Sequence, residues 1–252
     1  MNKIALITGA TAGIGEETAM QLAGEGYHVI ITGRRKERLK KLAERIKESC
    51  NVEVLTLNFD IRKREEVDEA IDNLTDEWKY IDLLVNNAGL AAGLKHLQEG
   101  NINDWEQMID TNVKGLLYIS RKIMPAMVER QQGHIINVSS MAGKEVYEKG
   151  NVYCATKHAV DAITKGMRLD LLQHGIKVSA VSPGLVETEF SMVRFKGDEE
   201  KAASVYKGLE ALRAEDIAET IVWVASRPPH VNINDVLVMP TAQANSTNVV
   251  RK

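Results

Sequence analysis

Short apolar runs alternate along the chain with longer segments in which apolar residues recur every three or four positions. The runs have the length of buried β-strands, and the longer segments have the spacing of amphipathic helices. The predicted strands cover residues 3–7, 27–32, 52–57, 81–85, 134–138, 177–181 and 236–239. The first predicted helix carries Met20, Leu22 and Ala23, and the others cover residues 35–49, 65–78, 105–129, 151–173 and 214–226.

This alternation of strands with long helices predicts one class of fold. Parallel strands need a crossover connection, and helices supply it while covering both faces of the sheet. We therefore expect an α/β fold, a doubly wound parallel sheet of about seven strands with helices on both faces. No Pro-, Gly- or Ser-rich linker and no internal repeat interrupts the 252 residues, so we expect a single domain over residues 1–252.

Composition and charge narrow the range of partners. The chain carries 32 basic and 35 acidic residues, interspersed, for a formal net charge of -3, so no nucleic-acid footprint stands out. No stretch reaches the apolar length of a membrane span, and the first apolar run is too short for a signal peptide. Cys50 and Cys154 form neither a disulfide framework nor a metal motif, and the six histidines are scattered. We expect a cytoplasmic protein with no membrane partner and no metal.

A glycine-rich segment, Thr8-Gly9-Ala10-Thr11-Ala12-Gly13-Ile14-Gly15, lies between the first predicted strand and the first predicted helix. Glycine permits a tight turn, the close approach of a pyrophosphate and the close packing of helix on strand. The free N–H groups and the positive dipole end of the helix then favour an anion at this point. The segment predicts a dinucleotide-binding turn, and the alternative is an ordinary strand-to-helix turn.

The end of the second predicted strand bears on the choice between NAD and NADP. A carboxylate at this position would accept a hydrogen bond from the ribose 2′-hydroxyl and select NAD. The sequence instead reads Thr32-Gly33-Arg34-Arg35, and an arginine fork matches a phosphate. We therefore predict NADP as the cofactor, although Ala12 supplies no second basic contact from the turn. The alternative, a solvated helix start, is disfavoured because cations near a helix N-terminus are mildly destabilising.

Tyr153 and Lys157 are four residues apart in a predicted helix, which places them on one face. A free tyrosine has a pKa of about 10, too high for proton transfer near neutral pH. A neighbouring ammonium favours the phenolate, so we expect Lys157 to lower the pKa of Tyr153. The pair, with Ser139-Ser140 just upstream, predicts an acid/base site.

The residues with candidate chemistry fall at one edge of the predicted sheet. Ligands of doubly wound sheets bind outside the carboxyl ends of the strands. Six predicted strands are followed by such residues, which are Gly9, Arg34, Asp60, Asn86, Ser140 and Pro183 in chain order. This agreement, more than any single motif, indicates a ligand site at that edge.

The segment over residues 185–212 is long and has few strand signals. Loops of this size in compact domains are usually functional, so we expect a substrate lid. Arg194 in this segment is suited to bind a substrate carboxylate in a bidentate manner. The alternative is a solvated charge on the lid surface.

Taken together, these motifs resemble those of the short-chain dehydrogenase/reductases, a family with a Rossmann-like fold, over nearly the full length of the chain. The matching motifs are Thr8-Gly9-x-x-x-Gly13-Ile14-Gly15, Asp60, Asn86-Asn87-Ala88-Gly89, Asn112, Ser140, Tyr153-x-x-x-Lys157 and Pro183-Gly184. Within the family, the chain is similar to the NADP-dependent 3-hydroxy acid dehydrogenases, also called serine or L-allo-threonine dehydrogenases. The segments that carry this closer similarity are 32–39, 150–153, 190–198 and 230–234.

The resemblance implies a role for each candidate catalytic residue. Tyr153 is the acid/base, Lys157 lowers its pKa and holds the nicotinamide ribose, and Ser140 hydrogen-bonds the substrate oxygen. Asn112 completes a proton relay through water. The implied cofactor contacts are Gly9, Thr11, Ala12, Gly13, Ile14, Gly15, Arg34, Arg35, Asp60, Ile61, Asn86, Asn87, Ala88, Gly89, Tyr153, Lys157, Pro183, Gly184, Val186 and Thr188. The expected substrate contacts are Ser140, Tyr153 and Arg194, and the resemblance implies a homotetramer.

The implied activity is hydride transfer between NADP and a small 3-hydroxy acid, of the L-serine, L-allo-threonine or 3-hydroxyisobutyrate type, or the corresponding semialdehyde. A general carbonyl reductase or a 3-oxoacyl-carrier-protein reductase would use the same catalytic residues with an open, apolar cleft. A third alternative is a sensor that binds NADP without catalysis. The intact Ser140, Tyr153 and Lys157 argue against it, because a sensor needs no proton donor.

Overall fold

The computed structural model describes residues 3–252, and one parallel sheet lies at its centre. Its strands are β1 (Ile4–Ile7), β2 (His28–Gly33), β3 (Val54–Asn58), β4 (Leu83–Asn86), β5 (His134–Val138), β6 (Lys177–Pro183) and β7 (Asp235–Val238). They lie in the order β3-β2-β1-β4-β5-β6-β7, and every neighbouring pair is parallel. The chain therefore winds outward from the centre in two directions. The predicted doubly wound sheet of about seven strands is confirmed.

Helices connect the strands and cover both faces of the sheet. They are α1 (Gly13–Gly24), α2 (Lys36–Ser49), α3 (Arg64–Asp72), α4 (Ile102–Ile109), α5 (Leu116–Arg130), α6 (Asn151–Leu171), α7 (Phe190–Arg194), α8 (Glu199–Ser204) and α9 (Ala214–Ala225). One apolar core lies between the sheet and α1, α2 and α9, and a second lies between the sheet and α3, α5 and α6. None of the helices in the described part of the chain combines the length and apolar character needed to cross a membrane.

Burial on both faces explains the continuous apolar runs of the sequence. In β1, Ala5 and Ile7 belong to the core under α1, α2 and α9, whereas Ile4 and Leu6 belong to the other core. Successive side chains of a strand point to opposite faces, so a strand covered on both sides is apolar throughout. The runs were therefore a direct signal of central, parallel strands.

The helix predicted over residues 105–129 differs in the structure. It begins at Ile102, and a wider π-helical turn, Asp110–Gly115, divides it into α4 and α5. A Cβ atom at Gly115 would lie 3.0 Å from the side chain of Ile61, so the glycine lets this turn approach the loop after β3. The apolar spacing continues across the turn, and periodicity alone therefore predicts an unbroken helix.

The helix predicted over residues 65–78 is shorter, because α3 ends at Asp72. Leu74 and Trp78 still pack against the core from the irregular chain that follows. The apolar character of these two residues indicates that they are buried, but it does not indicate a helical conformation. The prediction over residues 151–173 is nearly met, since α6 ends at Leu171 and a 3₁₀ turn, Leu172–His174, follows.

The 185–212 segment joins β6 to α9 and contains α7 and α8. Its two ends are held together, since Glu187 N–H donates to the Leu212 carbonyl at 2.8 Å and Leu212 N–H donates to the Leu185 carbonyl at 3.0 Å. The middle of the segment is thereby presented as one unit over the carboxyl ends of the strands.

Candidate active site

A cavity of about 520 Å³ lies at the carboxyl ends of the strands, next to the point where the strand order reverses. Doubly wound sheets bind their ligands at such a point. Many predicted site residues line it: Gly9, Thr11, Ala12, Gly13, Ile14, Arg34, Arg35, Asp60, Ile61, Asn87, Ala88, Gly89, Ser140, Tyr153, Lys157, Pro183, Gly184, Val186, Thr188 and Arg194. Gly15, Asn86 and Asn112 do not line the cavity.

The glycine turn after β1 packs on the loop after β4. Gly9 and Gly13 have φ angles of +69° and +57°, which residues with a Cβ atom rarely adopt. The Thr8 hydroxyl accepts hydrogen bonds of 3.0 Å from the N–H groups of Asn87 and Ala88. The turn therefore presents fixed backbone to the cavity, as the close approach of a phosphate requires.

Gly15 has a packing role, and its contact with the cofactor stays a prediction. A Cβ atom at this position would lie 2.5 Å from the Gly9 carbonyl oxygen and 2.4 Å from the amide nitrogen of Asn87. The missing side chain lets α1 lie close against the turn and the neighbouring loop.

The Asn86 side chain points away from the cavity, and its contact with the cofactor stays a prediction. Its amide nitrogen donates to Ser120 Oγ at 2.9 Å and to Asn137 Oδ1 at 2.8 Å. Side chains alternate along a strand, so Asn86 faces the helices behind the sheet while Asn87 faces the glycine turn. The buried asparagines link β4 to β5 beneath the site.

Asn112 lies in the π-helical turn, and its side chain is occupied within the protein. Its Oδ1 accepts from Leu90 N–H at 2.8 Å, and its amide nitrogen donates to the Leu90 carbonyl at 2.8 Å and to Thr156 Oγ1 at 3.0 Å. Both side-chain amide donors are thus used, so the predicted water relay would have to use the main chain of Asn112. The side chain instead clamps Leu90, which lines the cavity.

Ser140, Tyr153 and Lys157 come together at the cavity wall. Ser140 lies beyond the end of β5, and the other two lie one turn apart in α6, where both are buried. The Ser140 hydroxyl lies beside the Tyr153 phenol and donates to the Pro183 carbonyl at 3.5 Å, and the Lys157 ammonium donates to the Val138 carbonyl at 3.0 Å. This arrangement can hold a ligand oxygen and exchange a proton with it at Tyr153.

The pKa values of the two buried groups shift in opposite directions. Burial raises the pKa of Tyr153, the Tyr147 phenol adds to this, and Arg194 and the Ser140 hydrogen bond oppose it without cancelling it. Burial lowers the pKa of Lys157 to about 8. The pKa of Tyr153 is thus raised in this structure and not lowered as expected from Lys157, because desolvation outweighs the effect of the Arg194 guanidinium.

Arg194 from α7 lies among three aromatic rings at the cavity wall. Its guanidinium carbon is 5.0 Å from the ring centre of Tyr153, 5.1 Å from that of Phe190 and 6.0 Å from that of Tyr147. Its Nη2 donates to the Tyr147 hydroxyl at 2.9 Å, and its Nε is buried and has no hydrogen-bond partner among residues 3–252. A buried donor without a partner is costly, so this group is ready for an anion.

Sequence reasoning did not identify Tyr147. It lies in the turn before α6, and a Cβ atom on Gly150 would be 2.3 Å from its ring. The only nearby feature of the sequence that points to Tyr147 is Gly150, because a glycine there leaves room for an aromatic side chain to pack over the start of α6.

The two predicted arginines at the end of β2 have different surroundings. Arg34 is half exposed, and its Nη1 lies 4.0 Å from Asp60 Oδ2. Burial works to raise the pKa of Asp60, but hydrogen bonds from Arg62 hold it below its ordinary value. Arg35 donates from Nε and Nη2 to Thr11 Oγ1 at 3.0 and 2.8 Å, so it is fixed on the glycine turn.

Comparison with known proteins agrees with this geometry. The family profile described as short chain dehydrogenase matches residues 3–199. The chain belongs to the short-chain dehydrogenase family. The family expected from the sequence is thereby confirmed, and so is the doubly wound fold that it implies.

Two relatives show which branch of the short-chain dehydrogenases this chain is similar to. The NADP-dependent 3-hydroxy acid dehydrogenase YdfG of Salmonella typhi is 50% identical over 242 residues, which cover 96% of each protein. The serine 3-dehydrogenase of Agrobacterium fabrum is 42% identical over 244 residues, which cover 97% of this chain and 96% of that protein. The similarity to the 3-hydroxy acid dehydrogenase and to the serine dehydrogenase therefore covers nearly the full length of this chain and of each relative.

Solved short-chain dehydrogenase structures superpose closely. The closed form of serine dehydrogenase complexed with NADP+ has a TM-score of 0.92 and 46% identity, and the alignment covers 99% of this chain and 100% of that one. Serine dehydrogenase from Escherichia coli has a TM-score of 0.83 and 41% identity, with coverage of 96% and 99%.

Proposed function

We propose that the chain is an NADP-dependent oxidoreductase that interconverts a small 3-hydroxy acid and the corresponding semialdehyde. The acids are of the L-serine, L-allo-threonine and 3-hydroxyisobutyrate type. One observation carries the substrate class: the unpartnered Nε of Arg194 is buried at the wall that holds Tyr153 and Ser140. The named relatives support the same class of substrate.

The cavity fits a dinucleotide. Gly9 and Gly13 leave bare backbone where a phosphate must approach, and the N-terminus of α1 follows directly. Arg34 and Arg35 line the cavity at the end of β2, where the strand carries two arginines in place of the carboxylate that selects NAD, and this favours NADP. When bound, the nicotinamide supplies or accepts the hydride.

The residues of the chain handle the proton and the orientation of the substrate. Ser140 is placed to hydrogen-bond the reacting oxygen, and Tyr153 donates a proton to it in reduction or accepts one in oxidation. Lys157 orients the ribose side of the cofactor. We place Asn112 as a positioning residue, since its side chain holds Leu90, and a relay would have to use its main chain.

Arg194 is the proposed carboxylate contact. The alternative of a solvated lid charge is disfavoured, because its Nε is buried and its guanidinium packs among aromatic rings. A general carbonyl reductase would gain nothing from an unpaired cation at this point. The 185–212 segment, which carries Arg194, acts as the lid of one catalytic unit over residues 1–252.

We also propose a homotetramer in the cytoplasm. Leu117 in α5, Leu169 in α6 and Leu172 just beyond α6 are 41%, 75% and 72% exposed, which suits a subunit contact. Cys50 and Cys154 are both free, as expected in a reducing compartment. Light scattering of the purified protein tests the tetramer.

The activity is tested by following NADPH absorbance with L-serine, L-allo-threonine and 3-hydroxyisobutyrate, with NAD in parallel. Turnover of these acids with NADP supports the proposal. Consumption of NADPH with neutral ketones or aldehydes alone would move the assignment to a general carbonyl reductase. Binding of NADPH without turnover of any substrate would favour the sensor.

Arg194→Met tests the carboxylate contact, and Lys196→Met is the matched control. Lys196 is another cation of the 185–212 segment and pairs with Asp104 at 2.8 Å. Loss of a charged hydrogen bond should lower kcat/KM for 3-hydroxyisobutyrate by about 10- to 100-fold relative to propan-1-ol, which lacks the carboxylate. Equal loss for both substrates would contradict the contact.

A further inference from the structure

Glu189 ties the 185–212 segment to the residues that follow β2. Its carboxylate oxygens accept hydrogen bonds of 2.7 Å from Arg35 Nη1 and 2.6 Å from Arg38 Nη1. The proposed chemistry at Tyr153 uses neither Glu189 nor Arg38. These ion pairs are therefore a feature of the site that the reaction leaves unexplained.

The two arginines also reach the glycine turn. Arg35 donates twice to Thr11 Oγ1, and Arg38 donates to the Thr11 carbonyl at 3.4 Å. A chain of contacts thus runs from the glycine turn, through two guanidinium groups, to the 185–212 segment. Opposite walls of the cavity are joined at this end.

The two walls also touch beside this chain of contacts. A Cβ atom on Gly13 would lie 3.2 Å from Thr188 Cβ, which is closer than most van der Waals contacts. Gly13, Thr188 and Glu189 all line the cavity. The cavity is therefore bridged on this side by contacts between the glycine turn and the 185–212 segment.

The strength of the ion pairs suits a contact that opens repeatedly. Partial burial works to raise the pKa of Glu189, but the hydrogen bonds from Arg35 and Arg38 hold it below its ordinary value, so the carboxylate is charged at neutral pH. The three side chains are 44–46% exposed. Solvent and salt screen such pairs, so they break and re-form easily.

We propose that Glu189 is a latch on the cofactor cleft: it holds the 185–212 segment closed on Arg35 and Arg38, and releases them when NADP(H) enters or leaves. The inference goes beyond the proposed substrate and rests only on NADP occupying this cavity. Glu189 is a positioning residue, since it acts through the two arginines.

A latch that is closed both before and after binding slows entry and exit alike. Removing it should raise both rate constants by a similar factor and leave Kd nearly unchanged. Two exposed ion pairs correspond to about a two- to tenfold increase in each rate constant. A residue that only contacted the bound cofactor would change the exit rate alone.

The test is stopped-flow measurement of NADPH binding and release, by NADPH fluorescence, in the wild type, Glu189→Gln and Glu187→Gln. Glu187 is the matched control, because it is an exposed carboxylate of the same segment and has no ion pair within the described residues. NADH is measured in parallel, since it lacks the 2′-phosphate. Thermal melting confirms that each variant is folded.

Faster entry and exit in Glu189→Gln for both cofactors, with Glu187→Gln unchanged, supports the latch. Unchanged rates overturn it. The latch is also overturned if Glu189→Gln releases NADPH faster and binds it more weakly, while NADH is unaffected. That result would mean that Glu189 orients the arginines for the 2′-phosphate. A third result also overturns it: in Glu189→Gln, NADPH enters faster, leaves at the wild-type rate and so binds more tightly. The Glu189 carboxylate would then act as an anion that competes with the cofactor phosphate for the arginines. A wild type that binds no NADPH contradicts the cofactor assignment itself and removes the basis of the latch.

Discussion

The surroundings of Tyr153 favour, on balance, its protonated phenol. Burial and the neighbouring Tyr147 raise its pKa, and Arg194 and Ser140 oppose this only in part. Reduction needs a proton donor, so the phenol is ready over the neutral range. Oxidation needs the phenol to give up its proton first. The two directions should therefore respond differently to pH.

We expect kcat/KM for the oxidation of 3-hydroxyisobutyrate to be still rising at about pH 9, and reduction to stay nearly flat between about pH 6 and 8. Tyr153→Phe should lower both by about 10²- to 10⁴-fold. Steady-state rates at constant ionic strength provide the measurement, and NADPH fluorescence shows whether the variant still binds cofactor. An oxidation rate that levels off below about pH 7 is incompatible with a raised Tyr153 pKa.

Tyr147→Phe should weaken the binding of hydroxy acids more than it slows turnover. The Tyr147 hydroxyl accepts the hydrogen bond that fixes Arg194 Nη2. Its loss frees the guanidinium and should raise KM for 3-hydroxyisobutyrate about tenfold, while kcat changes less than about threefold. Propan-1-ol is the control substrate. A similar rise in its KM would show that Tyr147 shapes the cavity without acting through Arg194.

Single residues could be predicted from the sequence where geometry ties their spacing to their chemistry. Tyr153 and Lys157 are such a pair, because one helical turn separates them. Tyr147 could not be predicted, since a tyrosine in a turn resembles many others until the fold brings Arg194 to it. Asn86 and Asn87 are neighbours of one type, and only the direction of each side chain at the end of β4 separates a structural residue from a cavity residue.

At the scale of elements, the start of α1 depends on a glycine that touches two loops. A Cβ atom in Gly15→Ala would meet the Gly9 carbonyl at 2.5 Å, so the turn must shift. We expect a loss of about 1–3 kcal/mol in the free energy of unfolding and about tenfold weaker NADPH binding. Urea unfolding and NADPH titration measure the two effects.

Gly24→Ala is the control for this substitution, at the other end of α1. Nothing lies within 4 Å of a Cβ atom at Gly24, so this variant should be neutral or more stable by up to about 1 kcal/mol. If both variants lose stability equally, the cause is the replacement of a glycine in α1 in general and not the contact between Gly15 and the turn.

The elements themselves were predictable as far as periodicity extends. Buried strands and amphipathic helices carry a pattern, and the sheet followed from their alternation. The π-helical turn at Asp110–Gly115 carries none, because it keeps the apolar face of α4 and α5 continuous. Its close packing on Ile61 involves a distant loop, which sequence periodicity does not reveal.

At the scale of the whole molecule, one buried histidine couples folding to pH. His134 lies at the amino end of β5, away from the cavity, and its Nε2 is 2.8 Å from Ser179 Oγ. Burial, aided by Lys177, lowers its pKa to about 3. The unfolded chain, with a histidine pKa of about 6.5, therefore takes up this proton first. The stability it contributes is present above about pH 6.5 and is lost as the pH falls toward about 3.

This linkage predicts a loss of about 2 kcal/mol in the free energy of unfolding between pH 7 and pH 5 from His134 alone. His134→Gln keeps a polar partner for Ser179 but does not titrate, so its stability should fall less over that range. Urea unfolding at several pH values gives the comparison, and the acidic groups titrate alike in both proteins. Parallel curves for the two proteins would disprove the assignment to His134.

The link between Glu189 and Arg35 has a consequence for protein redesign. The residues that we propose to face the 2′-phosphate come from the part of the chain before β3, which invites a graft of that part to change the preferred cofactor. Glu189, however, lies 154 positions away from Arg35 in the sequence. A graft that replaced the arginines alone would leave its carboxylate uncompensated and facing the new dinucleotide. The part of the chain before β3 is thus not an independent module for cofactor binding. A successful change of cofactor preference must also replace Glu189, which lies in the other half of the chain.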